Sequence, residues 1–281
     1  MNKKRNEKKK ENSIKFNKII NNIKKVKIQG ARNIAREAVK AYFLVPSKKT
    51  KQILLASRPT EPMMENVLDL AESGISKEKI LKYFQETQEK INMSTIKLIK
   101  NKDIIFTHCH STNVINSLIY AKKKGKKFEV YNTETRPLFQ GRRTAKEVGK
   151  AGIKVTMFVD CAAAFAIEKD SKKDKIYVNK IFLGADALIK KGIINKIGSK
   201  MIAELAYFHK IPLYIVADSW KFTKRKVPIE QRPLNEIWDK APKNIKIKNP
   251  AFEFVPKKYI RAIVSEFGVL SYDKFLKRCE N

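Results

Sequence analysis

The stretch IIFTHCHSTNVINSLIYAKKKGKKFEVYNT, residues 104–133, holds two short apolar runs on either side of a helix-like segment. The runs IIFTHC (104–109) and FEVYNT (128–133) have strand length and strand composition. The same texture recurs in VTMFVD (155–160), IFLGAD (181–186) and LYIVAD (213–218), with helix-like stretches between most of them. Strands that alternate with helical crossovers pair in parallel, and a parallel sheet needs both faces covered. The expectation is an α/β fold: a mostly parallel sheet with helices on both faces.

Upstream of residue 104 the texture changes. Ile19, Ile20, Ile23 and Val26 recur at helical spacing, and a second such segment runs from Ile34 to Leu44. Between Ser76 and Lys100, Ile80, Phe84, Ile91 and Leu98 share one face. Gly74 breaks the preceding segment, Ser76 fits an N-cap, and Glu78 suits a first turn. These stripes read as core packing. The chain is therefore expected to divide into a disordered basic tail (1–13), a helical domain (14–100) and an α/β domain (101–281). The boundary near residue 100 rests on the change in periodicity alone.

The 281-residue chain is 43% hydrophobic, enough for a sizeable core. No apolar run reaches the roughly 18 residues of a membrane span. The N-terminus lacks a secretory apolar stretch, and Glu7 and Glu11 argue against a mitochondrial presequence, so a cytoplasmic protein is expected. Cys109, Cys161 and Cys279 are odd in number and far apart, which fits neither a disulfide framework nor a CxxC metal site. The net charge of +33 admits a nucleic-acid surface, but lysine is spread along the chain and greatly outnumbers arginine. A solvated lysine-rich surface is the better reading; nucleic acid and membrane are not expected partners. The excess charge would also draw in a phosphorylated ligand.

Ligands of an open parallel sheet bind beyond the carboxyl ends of its strands. Those ends carry Cys109, Glu134, Asp160, Asp186 and Asp218. Any one of these carboxylates is ordinarily a helix cap, and a cysteine standing alone is ordinarily structural. A helix N-terminus just after Cys109 would lower the thiol's pKa. His108 and His110 flank that cysteine, but adjacent side chains diverge and no second ligand cluster accompanies them, so no metal is expected. There is no GxGxxG and no GxxxxGK[ST]. Phosphate would then be held by scattered cations, with Arg58, Arg136, Arg142, Arg143, Lys196 and Lys221 as candidates.

Taken together, ASRPT (56–60), THCHST (107–112), ETRPLFQGRRTAKEV (134–148), GIKVTMFVD (152–160), GADALIKKGIINKIGS (184–199) and DSWKF (218–222) occur in an order that resembles a known superfamily. NPAFEFVPKKYI (249–260) and SEFG (265–268) resemble its usual ending. It joins methylthioribose-1-phosphate isomerases, archaeal ribose-1,5-bisphosphate isomerases and regulatory subunits of the eukaryotic translation-initiation exchange factor. The resemblance implies a Rossmann-like α/β domain behind the helical one. It also implies a catalytic pair, Cys109 and Asp186, which the regulatory subunits characteristically lack. His110 and Lys221 favour the bisphosphate branch; the alternatives are a methylthioribose-1-phosphate isomerase and a non-catalytic translation-regulatory protein.

The reaction implied is ribose 1,5-bisphosphate to ribulose 1,5-bisphosphate. Cys109 would shuttle the carbon proton and Asp186 would serve the ring oxygen and O2, although the two roles can be exchanged. Asn195 and Lys196 would steady charge at O2, and Arg58, Arg136, Arg142 and Lys221 would hold phosphates. No metal or redox cofactor is called for. The resemblance further implies a homodimer, or a homohexamer built from dimers, and leaves room for a nucleotide activator.

Overall fold

The computed structural model describes residues 2–168 and 178–280. The chain begins with five helices: α1 (Asn2–Lys24), α2 (Ala31–Leu44), α3 (Lys48–Ser57), α4 (Pro62–Glu72) and α5 (Lys77–Ile96). Their starts follow from local chemistry. Ser47 caps α3 and Ser76 caps α5 by accepting main-chain N–H bonds from Thr50 (3.0 Å) and Lys79 (3.3 Å). Pro62 opens α4, where its missing N–H costs nothing. The stretch expected to be a disordered tail instead forms the first turns of α1. Lysine and glutamate are good helix formers, and no glycine or proline intervenes before Gly30.

The rest alternates strands with helices: β1 (Ile104–Thr107), α6 (Thr112–Lys123), β2 (Glu129–Thr133), α7 (Gln140–Lys150), β3 (Lys154–Phe158), α8 (Ala163–Ile167), β4 (Lys180–Leu183), β5 (Ala187–Ile189) and β6 (Gly192–Lys196). Then follow α9 (Ser199–Phe208), β7 (Leu213–Val216), β8 (Phe252–Pro256), β9 (Ala262–Ser265), β10 (Gly268–Leu270) and α10 (Tyr272–Glu280). The main sheet has the order β10-β9-β7-β4-β1-β2-β3, parallel except for β10. The α/β architecture read from the strand pattern is thus the one observed. Its edge strand β10 and a second, antiparallel sheet (β5-β6-β8) were not legible there.

Period-two alternation sorts the strand residues between two layers. Ile105, Val130, Phe182, Val216 and Val264 face a core shared with α5, α6 and α7. Phe106, Ile181, Leu183, Leu213, Ile215 and Ile263 face the opposite core, closed by α8, α9 and α10. Phe106 and Phe182 are wholly buried, one on each face, and truncating either to alanine would cost about 3–5 kcal/mol.

The helical layer has its own core around Ile34, Leu54, Met63 and Leu68. Helix α5 belongs to both: Ile80 and Phe84 pack with that layer, whereas Ile91 packs on the sheet. The texture change near residue 100 is therefore not a break in packing. Among the described residues no helix is long and apolar enough to cross a membrane.

Candidate active site

The sheet order reverses between β1 and β4. The chain runs outward from β1 to β3 on one side, then from β4 through β7 to β9 on the other. Adjacent crossovers therefore leave from opposite faces, and a crevice opens at the strand ends between them. Cys109 follows β1 and Asp186 follows β4, so both stand on this crevice, and both line one cavity. Gly184 allows the two strand ends to approach. A Cβ there would lie 2.6 Å from Ser111 Oγ, at the N-cap of α6. The amino ends of α2 and α6 also border the cavity, and their free N–H groups favour an anion.

Cys109 has φ 63°, in the left-handed region, where non-glycine residues are uncommon. Its main-chain N–H donates to Thr135 Oγ1 (3.0 Å), and its carbonyl accepts from Thr144 Oγ1 (2.6 Å). The preceding His108 is buried, and burial lowers its pKa. The neutral ring bridges Thr133 Oγ1 (2.5 Å) and the Ile197 carbonyl (2.8 Å), so Nε2 carries the proton. His110 meets Thr144 (3.3 Å), and burial aided by Arg143 pushes it down to about 4.

The thiol does not have the depressed pKa expected of it. Burial pushes Cys109 up to about 11, with Asp186 and Asp160 adding and Lys196 opposing. The cap position of α6 belongs to Ser111, two residues further on, and desolvation outweighs the helix end. Asp186 is likewise raised by burial, against the pull of Lys221, Lys196 and Arg58.

Of the cations and amides chosen from sequence, Arg58, Asn195, Lys196 and Lys221 line this cavity. Arg58 pairs with Glu230 at 2.8 Å, yet its Nε and Nη1 have no hydrogen-bond partner among the described residues. Lys221 is buried and donates to the Ala185 carbonyl at 2.6 Å, one residue before Asp186. Asn195 donates to Ser199 Oγ (2.8 Å), and Lys196 lies over the Phe252 ring (5.7 Å). Arg136 and Arg142 are not brought to the cavity. Both stack on Phe139, at 4.9 and 3.7 Å, and Arg142 pairs with Glu134 at 2.8 Å. Paired arginine donors suit phosphate, but Arg136 in the loop before α7 and Arg142 in its first turn are both held on Phe139, away from the cavity lining.

Sequence reasoning missed Arg32, Glu61, Gln140 and Arg232, which also line the cavity. Burial, with help from Asp186, pushes Glu61 up to about 8. Its one sequence signal was position, three residues after Arg58 in a segment with no strand end to mark it.

Fold and cavity together define a Rossmann-like α/β protein with a polar, cation-lined site at its switch point. The chain belongs to the initiation factor 2 subunit family, which it matches over residues 5–272. It is 32% identical to ribose 1,5-bisphosphate isomerase of Methanocaldococcus jannaschii, over 88% of this chain and 89% of that protein. It is 30% identical to methylthioribose-1-phosphate isomerase of Thermosipho africanus, over 89% of this chain and 81% of that one. The fold is also that of the Pyrococcus horikoshii OT3 translation initiation factor eIF-2B (TM-score 0.79, 23% identity, 91% of this chain and 96% of that chain). The superfamily thus contains catalytic isomerases beside translation-factor subunits.

Proposed function

We propose that this protein is an aldose–ketose isomerase that converts ribose 1,5-bisphosphate to ribulose 1,5-bisphosphate. The observation that carries the reading is the meeting of Cys109 and Asp186 across the switch point, in a cavity lined by Arg58, Lys196 and Lys221. A thiol and a carboxyl on one sheltered site can take and return protons on neighbouring atoms.

A C1 phosphate prevents the sugar from opening to a free aldehyde. Asp186, which burial drives toward its protonated form, gives a proton to the ring oxygen as the C1–O bond breaks. Cys109 as thiolate takes the proton from C2, leaving an enol between C1 and C2. That proton returns at C1 while the Asp186 carboxylate takes the proton of O2, which becomes the ketone. Both side chains end as they began. Lys196, whose charge pulls the Cys109 pKa down, favours the thiolate and with Asn195 steadies O2. Arg58 and Lys221 would hold phosphates, Arg58 through two donors that have no partner among the described residues. Proton transfer of this kind calls for no redox cofactor.

The test is turnover of ribose 1,5-bisphosphate by purified protein, beside methylthioribose 1-phosphate and a Cys109→Ser control. Ketose bisphosphate from the wild type alone supports the reading. Turnover of the methylthio sugar instead, or near-normal activity of Cys109→Ser, overturns it.

The protein is further proposed to be a homodimer or a homohexamer built from dimers. Phe165 on α8 and Phe208 on α9 are 79% and 80% exposed, an apolar surface suited to a second copy. A monomer mass in light scattering at micromolar concentration would contradict this.

A further inference from the structure

Asp160, at the carboxyl end of β3, does not line the cavity, yet both of its oxygens are engaged. Oδ1 accepts the main-chain N–H of Thr135 (2.8 Å) and Oδ2 that of Arg136 (2.6 Å). Thr135 in turn accepts the N–H of Cys109 on its hydroxyl, at 3.0 Å. One line of hydrogen bonds thus joins the ends of β3, β2 and β1 and finishes on the peptide that carries the thiol.

We propose that Asp160, acting through Thr135, is a positioning residue that holds the Cys109 thiol at its reacting place, an inference that rests on the catalytic role given to Cys109 above.

Two observations make the line more than ordinary loop bonding. Both ends of the Thr135–Cys109 bond are left-handed, with φ 61° at Thr135 and 63° at Cys109. A β-branched residue at positive φ is an outlier that persists only when its surroundings hold it. The carboxylate supplies that hold by taking two successive N–H groups, which a side chain with one acceptor cannot do. Thr135 is also wholly buried, so no water replaces its hydroxyl if it is lost. On the far side of Cys109 the Thr144 hydroxyl pins the carbonyl, so a change at Thr135 would turn the peptide about a fixed point. Small displacements of a reacting group cost up to about 100-fold in rate.

The test uses the full-length protein with Thr135→Val, Thr135→Ser and Asp160→Asn. Turnover is read beside peptide-resolved alkylation of Cys109 by iodoacetamide across pH. The charged groups acting on this thiol are Lys196, Asp186 and Asp160. Thr135→Val is expected to lower kcat by about 10- to 100-fold with KM within about twofold, and Thr135→Ser, which keeps the hydroxyl, to restore it. Asp160→Asn is expected to lower kcat while moving the alkylation midpoint of Cys109 to lower pH, because a charge that raises it is gone. More thiolate with less turnover separates placement from reactivity. Unchanged alkylation of exposed Cys161 in Thr135→Val, and a cooperative thermal transition above the assay temperature in every variant, exclude general unfolding.

Wild-type-like kcat and Cys109 alkylation in both Thr135→Val and Asp160→Asn would overturn the proposal. If the wild type turns over no sugar phosphate, the isomerase reading fails. The alkylation arm then still decides the positioning: a change of at least about threefold in the Cys109 rate of Thr135→Val, absent in Thr135→Ser, supports it.

Discussion

Arg32 Nη1 stands 3.5 Å from Asp218 Oδ2, with both side chains buried. The pair joins the first turn of α2 to the end of β7 and so ties the helical layer to the sheet beside the cavity. Burial and Glu266 push Asp218 up to about 7, with Arg32 opposing. Its folded value thus lies above the ordinary one, so the native state holds a proton that the unfolded chain releases. The stability this gives is full below about pH 4 and is lost as pH rises through about 7. Arg32→Met removes the compensating charge and should cost roughly 3–5 kcal/mol when Asp218 is ionised. Urea melts should show the larger deficit near pH 8 and the smaller near pH 5.

Cys109 should alkylate slowly at neutral pH, its rate climbing toward about pH 11 as the thiolate forms. Lys196→Met removes the charge that lowers this value, so its curve should lie at higher pH than the wild type's. Peptide-resolved iodoacetamide kinetics would check both, and a shift in the opposite direction would show that another group governs the thiol.

Gly184→Ala would place a methyl 2.6 Å from Ser111 Oγ and 2.7 Å from its Cβ. The loop carrying Asp186 would be forced away from α6 and Cys109. A loss of about 1–3 kcal/mol is expected, with turnover reduced more than the folded fraction. Adding Ser111→Gly should recover part of both, as thermal melts and initial rates would show.

Arg58 and Arg142 should behave differently although both were reasonable phosphate ligands in sequence. Arg58→Ala removes a cation that lines the cavity and should weaken substrate binding by roughly 10- to 150-fold, the value of a charge-assisted hydrogen bond. Arg142→Ala breaks an exposed pair with Glu134 and should change KM by less than about threefold. Equal effects in steady-state kinetics would mean that α7 moves when substrate binds.

Much of the fold was legible because it is written locally. The apolar runs ending at Cys109, Thr133, Asp160, Asp186 and Asp218 all proved to contain strands of the main sheet. Ser76, chosen as a cap from its neighbours, caps α5. The basic N-terminus misled because charge density argued for disorder while helix propensity, equally local, argued for α1. Strand β10 is only three residues long, too short for periodicity to declare it.

By itself the sequence determined the α/β class, the strand ends and therefore the edge on which Cys109 and Asp186 stand. Each depends on residues within one element and its cap. Only the tertiary structure decided which cations reach that edge and what burial does to the thiol. Arg32, Arg58 and Glu61 come from the helical layer, and Arg142 turns away on α7, because packing between distant segments sets those positions. The pKa of Cys109 belongs to the same class of fact. It depends on solvent excluded by residues remote in the chain, a quantity that no short motif contains.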